Sequence, residues 1–271
     1  MIPIAPANGP AIEPAVANYP EATAPEPRTP ASLAAGYRQH FEIVPATNDK
    51  LKRHNYRIRH EVYCHELGYE PSHVDGMESD AYDRHSIHYL VRAVASRNFV
   101  GCARLILQDP DDPAAPLPFE RTCADSLDHG IFDAAGLDRS KVAEVSRLAI
   151  VSQYRRRQGE SGSPVSVSDV GIDGVRVRLP YLTLGLYLAL IALARWQGLE
   201  KLFILTEPSL ARSLKRLGVG LYPVGGSVLH RGERKPYAMD VEDIVAGLNP
   251  PVRELFDTIT REIDQAVRTG C

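Results

Sequence analysis

The sequence predicts an α/β protein, with a mixed, mostly antiparallel central sheet flanked by helices. Helical and extended patterns alternate from residue 41 to residue 268. "SIHYLVRAVA" and "NFVGCARLILQ" alternate apolar and polar residues around the short connection "SRN", as an antiparallel hairpin does. "LPYLTLGLYLALIALARWQG" is apolar nearly all round, which suits a helix enclosed between layers.

Taken in order, "YRQHFEIVPA" gives a first strand near 41–45. "NDKLKRHNYRIRHEVYCHELG" opens on an Asn/Asp cap and runs as a helix to a glycine stop at Gly68. The polar loop "YEPSHVDGMESDAYDRH" leads into the hairpin, which "DPDDPAAPLP" ends. A helix is expected over roughly 119–129, then a strand at 143–151, then a long loop, "SQYRRRQGESGSPVSVSDVGIDG". The apolar helix starts just after Arg178 and is stopped by Gly198. A strand ("KLFILTE"), a helix ("PSLARSLKRLG"), a strand pair ("GLYPVGG" and "SVLHRGER") and a helix near 251–268 complete the order.

The chain has 271 residues, 44% hydrophobic and 24% charged, enough to bury a substantial core. Residues 1–36 hold 8 of the 21 prolines among many alanines, so they are expected to form a disordered tail before a single domain spanning 37–271. A net charge of -3 argues against nucleic acid as the main partner. Cys64, Cys102, Cys123 and Cys271 lie far apart, so neither a metal site nor a disulfide framework is expected, and a reducing cytoplasm fits. The start "MIPIAPANGPAIEP" lacks the pattern of a secretory signal. From Leu179 to Ala194 there are 16 residues without a charge, short of the roughly 20 that cross a bilayer.

Three clusters are candidates for chemistry. Arg59 and Tyr63, four apart, share a helix face, with Tyr69 just beyond the helix stop; the plain alternative is a core tyrosine beside a solvated arginine. In "ESDAYDRH", Asp80 and Asp83 stand with Glu78 and Tyr82, and could bind an ammonium group, hold an arginine or only solvate a loop. The third cluster joins Arg104 in "GCARLI" to Glu144, Ser146 and Arg147 in "EVSRLAI", where charges interrupt a strand that reads as buried. In an unbroken strand Glu144 and Ser146 point one way and Arg147 the other, unless a bulge re-aims one of them. These arginines and acids could form a self-neutralising network. Arg155, Arg156, Arg157 and Gly159 in "QYRRRQG" could meet a phosphate through guanidinium forks and backbone N–H groups.

In this order the residues resemble the acyl-homoserine-lactone synthases, a branch of the GNAT N-acyltransferase fold, and the related N-acyl amino acid synthases. Arg59, Tyr63 and Tyr69 match that family's Arg-aromatic-aromatic spacing, with tyrosines where the lactone synthases usually have Phe and Trp. Asp80 and Asp83 supply its Asp-x-x-Asp, "GCARLI" its Gly-x-x-Arg-Leu strand, and "EVSRLAI" its Glu-x-x-Arg strand. Residues 59–70 and 223–236 are similar to the acyltransferases associated with PEP-CTERM/exosortase systems.

The resemblance implies a GNAT-like domain moving a long acyl group from an acyl carrier protein or coenzyme A thioester to the amine of an amino acid or similar small acceptor, with no permanently bound cofactor. It implies catalytic roles for Glu144, Arg147 and Arg104, and acceptor contacts by Arg59, Tyr63, Tyr69, Asp80, Asp83 and Ser146. Donor contacts would come from Leu148, Ile150, Arg155, Arg156, Arg157 and Gly159. The apolar helix with Tyr63 or Tyr69 would wall an acyl pocket. No membrane span is expected, though peripheral contact fits. A coenzyme A-dependent acetyltransferase of a small amine and a non-catalytic acyl-lipid-binding module stay open as alternatives.

Overall fold

The computed structural model describes residues 32–133, 136–155, 169–172, 175–178, 181–216 and 218–269. A sheet of eight strands forms its centre. Strands β1 (Phe41–Pro45), β2 (Ser86–Ala93), β3 (Phe99–Ile106) and β4 (Val142–Ile150) follow one another antiparallel. The small pair β5 (Asp169–Ile172) and β6 (Val175–Arg178) forms a separate hairpin inside the stretch expected to be loop. Strand β7 (Lys201–Thr206) joins β4 in parallel; β8 (Tyr222–Pro223) and β9 (Val228–Leu229) both pair with β10 (Glu233–Asp240), which is antiparallel to β7. The expected mixed, mostly antiparallel sheet is the one observed.

One face of the sheet is covered by α1 (Leu33–His40), α4 (Tyr181–Trp196), α6 (Val241–Gly247) and α7 (Pro250–Thr269). The other carries α2 (Asp49–Arg59) and its π-helical continuation His60–Glu66, while the short helices α3 (Pro118–Thr122) and α5 (Pro208–Arg216) flank the β7–β10 half. Helix α4 is apolar all round because it is enclosed all round: Leu182 to Ala194 are buried between the sheet and the helices outside it. No helix among the described residues is long and apolar enough to cross a membrane.

Gly185 of α4 lets Tyr37 of α1 lie against the helix backbone; a Cβ there would fall 2.3 Å from the tyrosine ring. Tyr37 is fully buried and has no room to retreat. Gly185→Ala is therefore expected to destabilise by about 1–3 kcal/mol, as overpacking does, despite alanine's better helix propensity. A higher urea midpoint for the alanine variant would contradict this packing.

Several boundaries differ from the sequence reading, each for a local reason. Residues 33–36, expected at the end of the tail, begin α1, where Ser32 caps the helix by accepting from the N–H of Ala35 at 3.2 Å; residues 1–31 lie outside the described residues. The helix expected over 119–129 stops at Thr122, because the backbone of Leu127 and Asp128 pairs with Gly225 and Val224 instead. Strands β8 and β9 do not pair with each other. Their common partner β10 was hidden by Pro236, which has no N–H for a ladder but whose carbonyl accepts from Val224 at 3.1 Å.

Candidate active site

The opening conflict of "EVSRLAI" is resolved by a bulge. Across β3 and β4, Cys102 faces Ala149 and Arg104 faces Ser146, so Arg147 and Leu148 together oppose the single residue Ala103. Arg147 takes the left-handed conformation, with φ 50°, an uncommon state for a residue with a Cβ. The bulge re-aims its guanidinium toward the loop that carries Glu78 and Asp80.

That loop is ordered by its own acids. Asp80 caps the 3-10 turn Ala81–His85 by accepting from the Tyr82 N–H at 3.0 Å, and Asp83 returns to accept from the Asp80 N–H at 2.7 Å. Asp-x-x-Asp is thus a reciprocal cap, which leaves both carboxylates aimed at arginines. Arg104 takes Asp80 in a fork, with both contacts at 2.7 Å, and also reaches Asp83 at 2.5 Å and Ser146 Oγ at 2.8 Å. Arg59, fully buried, donates to Asp83 at 2.6 Å and through Nε to Glu78 at 2.5 Å. Arg147 completes the array on Glu78, with Nη2 at 2.9 Å.

Glu78 is the hub, held between Arg59 and Arg147. Burial alone would raise its pKa, but the hydrogen bond and charge of Arg59, then Arg147, hold it at about 2. Asp83 is likewise held at about 2 against burial, by Arg59 and then Arg104.

Beside this network lies a cleft of about 240 Å³, at the place where the sheet divides. Strands β4 and β7 pair from Val142↔Lys201 only as far as Val145↔Ile204, and among the described residues no strand pairs with β4 beyond that point on this edge. Glu144, Ser146, Arg147 and Leu148 line the cleft from β4, and Ile204 to Glu207 from β7. Glu144 is buried and its carboxylate accepts from the Phe119 N–H at 2.7 Å. Burial pushes its pKa up to about 8, outweighing the Phe119 N–H and the charges of Arg104 and Arg147. The cleft therefore holds one carboxyl group poised to exchange a proton near neutral pH.

The structure sorts the residues expected from sequence. Tyr63, Tyr69, Asp80, Arg104, Glu144, Ser146, Arg147 and Leu148 line the cleft. Tyr63 belongs to the π-helical turn, donates its hydroxyl to Leu148 O at 2.9 Å and lies under the Arg147 guanidinium. Tyr69 is turned in by the left-handed Gly68, with φ 62°, and by its N–H bond to Tyr63 O at 2.7 Å.

Four expectations need correction. Arg59 and Asp83 do not line the cleft; both are buried, Asp83 accepts from Arg59 and Arg104, and Arg59 Nη2 has no hydrogen-bond partner among the described residues. Ile150 points into the apolar core. Arg155 is buried and ion-paired to Glu66 at the end of the π-helical turn, so it is not presented to a phosphate. Arg156, Arg157 and Gly159 lie outside the described residues. Among the described side chains of α4, Tyr187 reaches the cleft, and Leu182 to Ala194 are otherwise core. Sequence reasoning missed Glu78 as the hub, and it missed His230, Arg231 and Arg234, which line the cleft from the β9–β10 hairpin. The signal for that hairpin was the "PVGGSVLHRGERKP" stretch, read above as part of a strand pair and as a likeness but not as part of the site.

Residues 58–163 match the family model described as an acetyltransferase (GNAT) domain. Over that span the chain is similar to a GNAT acetyltransferase domain. An acyl-homoserine-lactone synthase of Rhizobium radiobacter is 25% identical over 223 residues, 80% of this chain and 89% of its own length. A second, from Pseudomonas fluorescens, is 42% identical over 66 residues, 23% of this chain and 34% of its own. Among solved structures, the synthase LasI superposes with a TM-score of 0.53 at 19% identity, covering 77% of this chain and 95% of that one. FeeM, an N-acyl amino acid synthase from uncultured soil microbes, does so at 0.50 and 12% identity, covering 77% and 94%. These superpositions carry the fold. By sequence, the likeness is to a GNAT acetyltransferase domain and to lactone synthases. The matched span holds every member of the arginine–acid network, whereas Glu207 and the β9–β10 hairpin lie beyond it.

Proposed function

We propose that the protein is an N-acyltransferase that takes an acyl group from a carrier protein or coenzyme A thioester and places it on the amine of an amino acid or similar small acceptor. The observation that carries this is the parting of β4 and β7 directly beside the buried Glu144, whose pKa burial raises. A thioester laid into the gap meets the unpaired edge of β4, whose N–H groups polarise its carbonyl. An amine attacks only when unprotonated; Glu144, directly or through water, takes the proton as the C–N bond forms, and the proton follows the thiolate as the C–S bond breaks. Arg104 and Arg147 bind no substrate charge in this scheme; they fix Asp80 and Glu78, and so hold the 3-10 turn and its loop against the sheet. Tyr63, Leu148, Tyr187 and Leu210 give the acyl chain an apolar wall. Of the relatives, BjaI is described as a coenzyme A-dependent lactone synthase, bound to SAM and isopentyl-CoA. A cytoplasmic place for this chemistry accords with the free Cys64, Cys102 and Cys123.

The test is to give the purified protein matched acyl-carrier-protein and acyl-coenzyme A thioesters, from acetyl to long chains, with an amino acid mixture, and to detect amides by mass spectrometry. Amides from long chains alone support the reading. Turnover of acetyl-coenzyme A alone would make it a small-amine acetyltransferase. Lipid retained without turnover, and unaffected by Glu144→Gln, would make it a binding module.

A further inference from the structure

The open end of the gap between β4 and β7 is spanned by charge. On one side, β10 is tied to β7 by its ladder up to Lys235↔Thr206, and the next residues outward, Arg234 and Glu207, continue it as an ion pair at 2.6 Å. On the other side, Glu70 Oε1 is bound by Arg147 of the β4 bulge at 3.2 Å. The same Glu70 oxygen also takes Arg231 Nη2, from the turn between β9 and β10. An unbroken line of contacts thus runs from β7 through β10, Arg231, Glu70 and Arg147 to β4, closing the V that the diverging strands open.

We propose that Glu70 and Arg231 form a strap across this gap, positioning Arg147 and keeping water from the donor thioester. This rests on the acyl-transfer reading above. Both residues are positioning residues.

Three features of the hairpin favour a strap over a mere scaffold. Its tip lies beyond the ladder with β7, which begins at Lys235: β9 has two residues, and Leu229 is 91% exposed. Its turn is built from two left-handed residues, Arg231 at φ 53° and Gly232 at φ 96°, with His230 N–H closing onto Gly232 O at 2.9 Å. Arg231, a residue with a Cβ, is held in that conformation where its side chain reaches Glu70. Partly exposed ion pairs contribute little to folding, so this one can open for a ligand and re-form over it. Re-formed, it excludes water from a reactive thioester.

The experiment compares Glu70→Gln, Arg231→Gln and the charge-keeping Arg231→Lys with the unaltered protein. Measured are kcat and KM for the thioester, amide formed per thioester hydrolysed, and melting temperature. The strap predicts that each glutamine variant melts as the unaltered protein does, makes amide more slowly on the order of 10-fold to 10²-fold, and hydrolyses more thioester per amide. It predicts that Arg231→Lys, whose ammonium can still pair with Glu70, avoids much of both losses. Glutamine variants with unaltered kinetics and partition, or a lysine variant no better than they are, would overturn it. Should the unaltered protein transfer no acyl group, the functional reading fails separately. The strap is then decided by hydrogen exchange of residues 228–234, which Arg231→Gln accelerates if the strap holds them and leaves unchanged if it does not.

Discussion

Glu78→Ala is expected to remove about 3–5 kcal/mol of stability, a large part of the roughly 5–15 kcal/mol that a folded domain commands. Glu78 is buried between two guanidinium groups, and Arg59 on one side is fully buried. Taking the carboxylate away leaves Arg59 with Asp83, a partner Arg104 already shares, and the excess positive charge has no route to water. Glu78→Gln, which keeps the shape and one acceptor, should cost less. Acid should act as the alanine variant does. Glu78 and Asp83 have folded pKa values of about 2, below the ordinary 4.5 and 3.8, so the folded state binds fewer protons than the unfolded. The stability they contribute is complete above about pH 5 and is lost as pH falls toward 2. Urea midpoints between pH 7 and pH 2.5 should fall steeply for the unaltered protein and much less for Glu78→Gln. Parallel pH curves for the two would show that Glu78 does not hold the network together.

How much of this was legible in the sequence depended on whether the determining signal was local. The hairpin β2–β3, the capped helix at Asn48 and the enclosed helix α4 each follow from a pattern within one segment. The likeness of residue order and spacing to a known family also marked eight residues of the cleft lining, Tyr63, Tyr69, Asp80, Arg104, Glu144, Ser146, Arg147 and Leu148. What was not legible was direction. Whether Arg147 and Glu144 share a side of β4 depends on a bulge, and a bulge depends on the register with β3, forty residues away in the chain. The resemblance implied acceptor contacts for Asp83 and Arg59, while the residues alone left open whether the acids meet an ammonium group, an arginine or only solvent. Only packing shows that Asp83 and Arg59 are paired with each other, buried and outside the cleft lining. Glu78 was visible as one acid in an acidic loop, but its place between Arg59 and Arg147 arises from three separate elements. The hairpin's arginines were lost for a related reason: Pro236 disguises the strand that carries them to the cleft.

Glu144→Gln should separate chemistry from folding more sharply than any other change. As proton acceptor, Glu144 is ionised only above its pKa of about 8, so amide formation should rise with pH to a plateau beyond that value. Glutamine cannot take the proton; the rate should fall about 10²- to 10⁴-fold and lose that rising limb. Stability should move the opposite way. With a folded pKa above the ordinary 4.5, the folded state holds a proton that the unfolded chain has released, so the unaltered protein loses stability as pH rises from about 4.5 to 8. Glutamine resembles the protonated acid at every pH, can still accept from the Phe119 N–H and carries no buried charge. The variant should therefore match the unaltered protein near pH 4 and exceed it increasingly up to pH 8, by at most about 5 kcal/mol. A carboxyl group that only braced α3 would give the stability difference without the loss of rate. One that was already ionised in the folded state near pH 5 would give neither the alkaline limb nor the divergence of the stability curves, and the proton would have to leave the amine by another route.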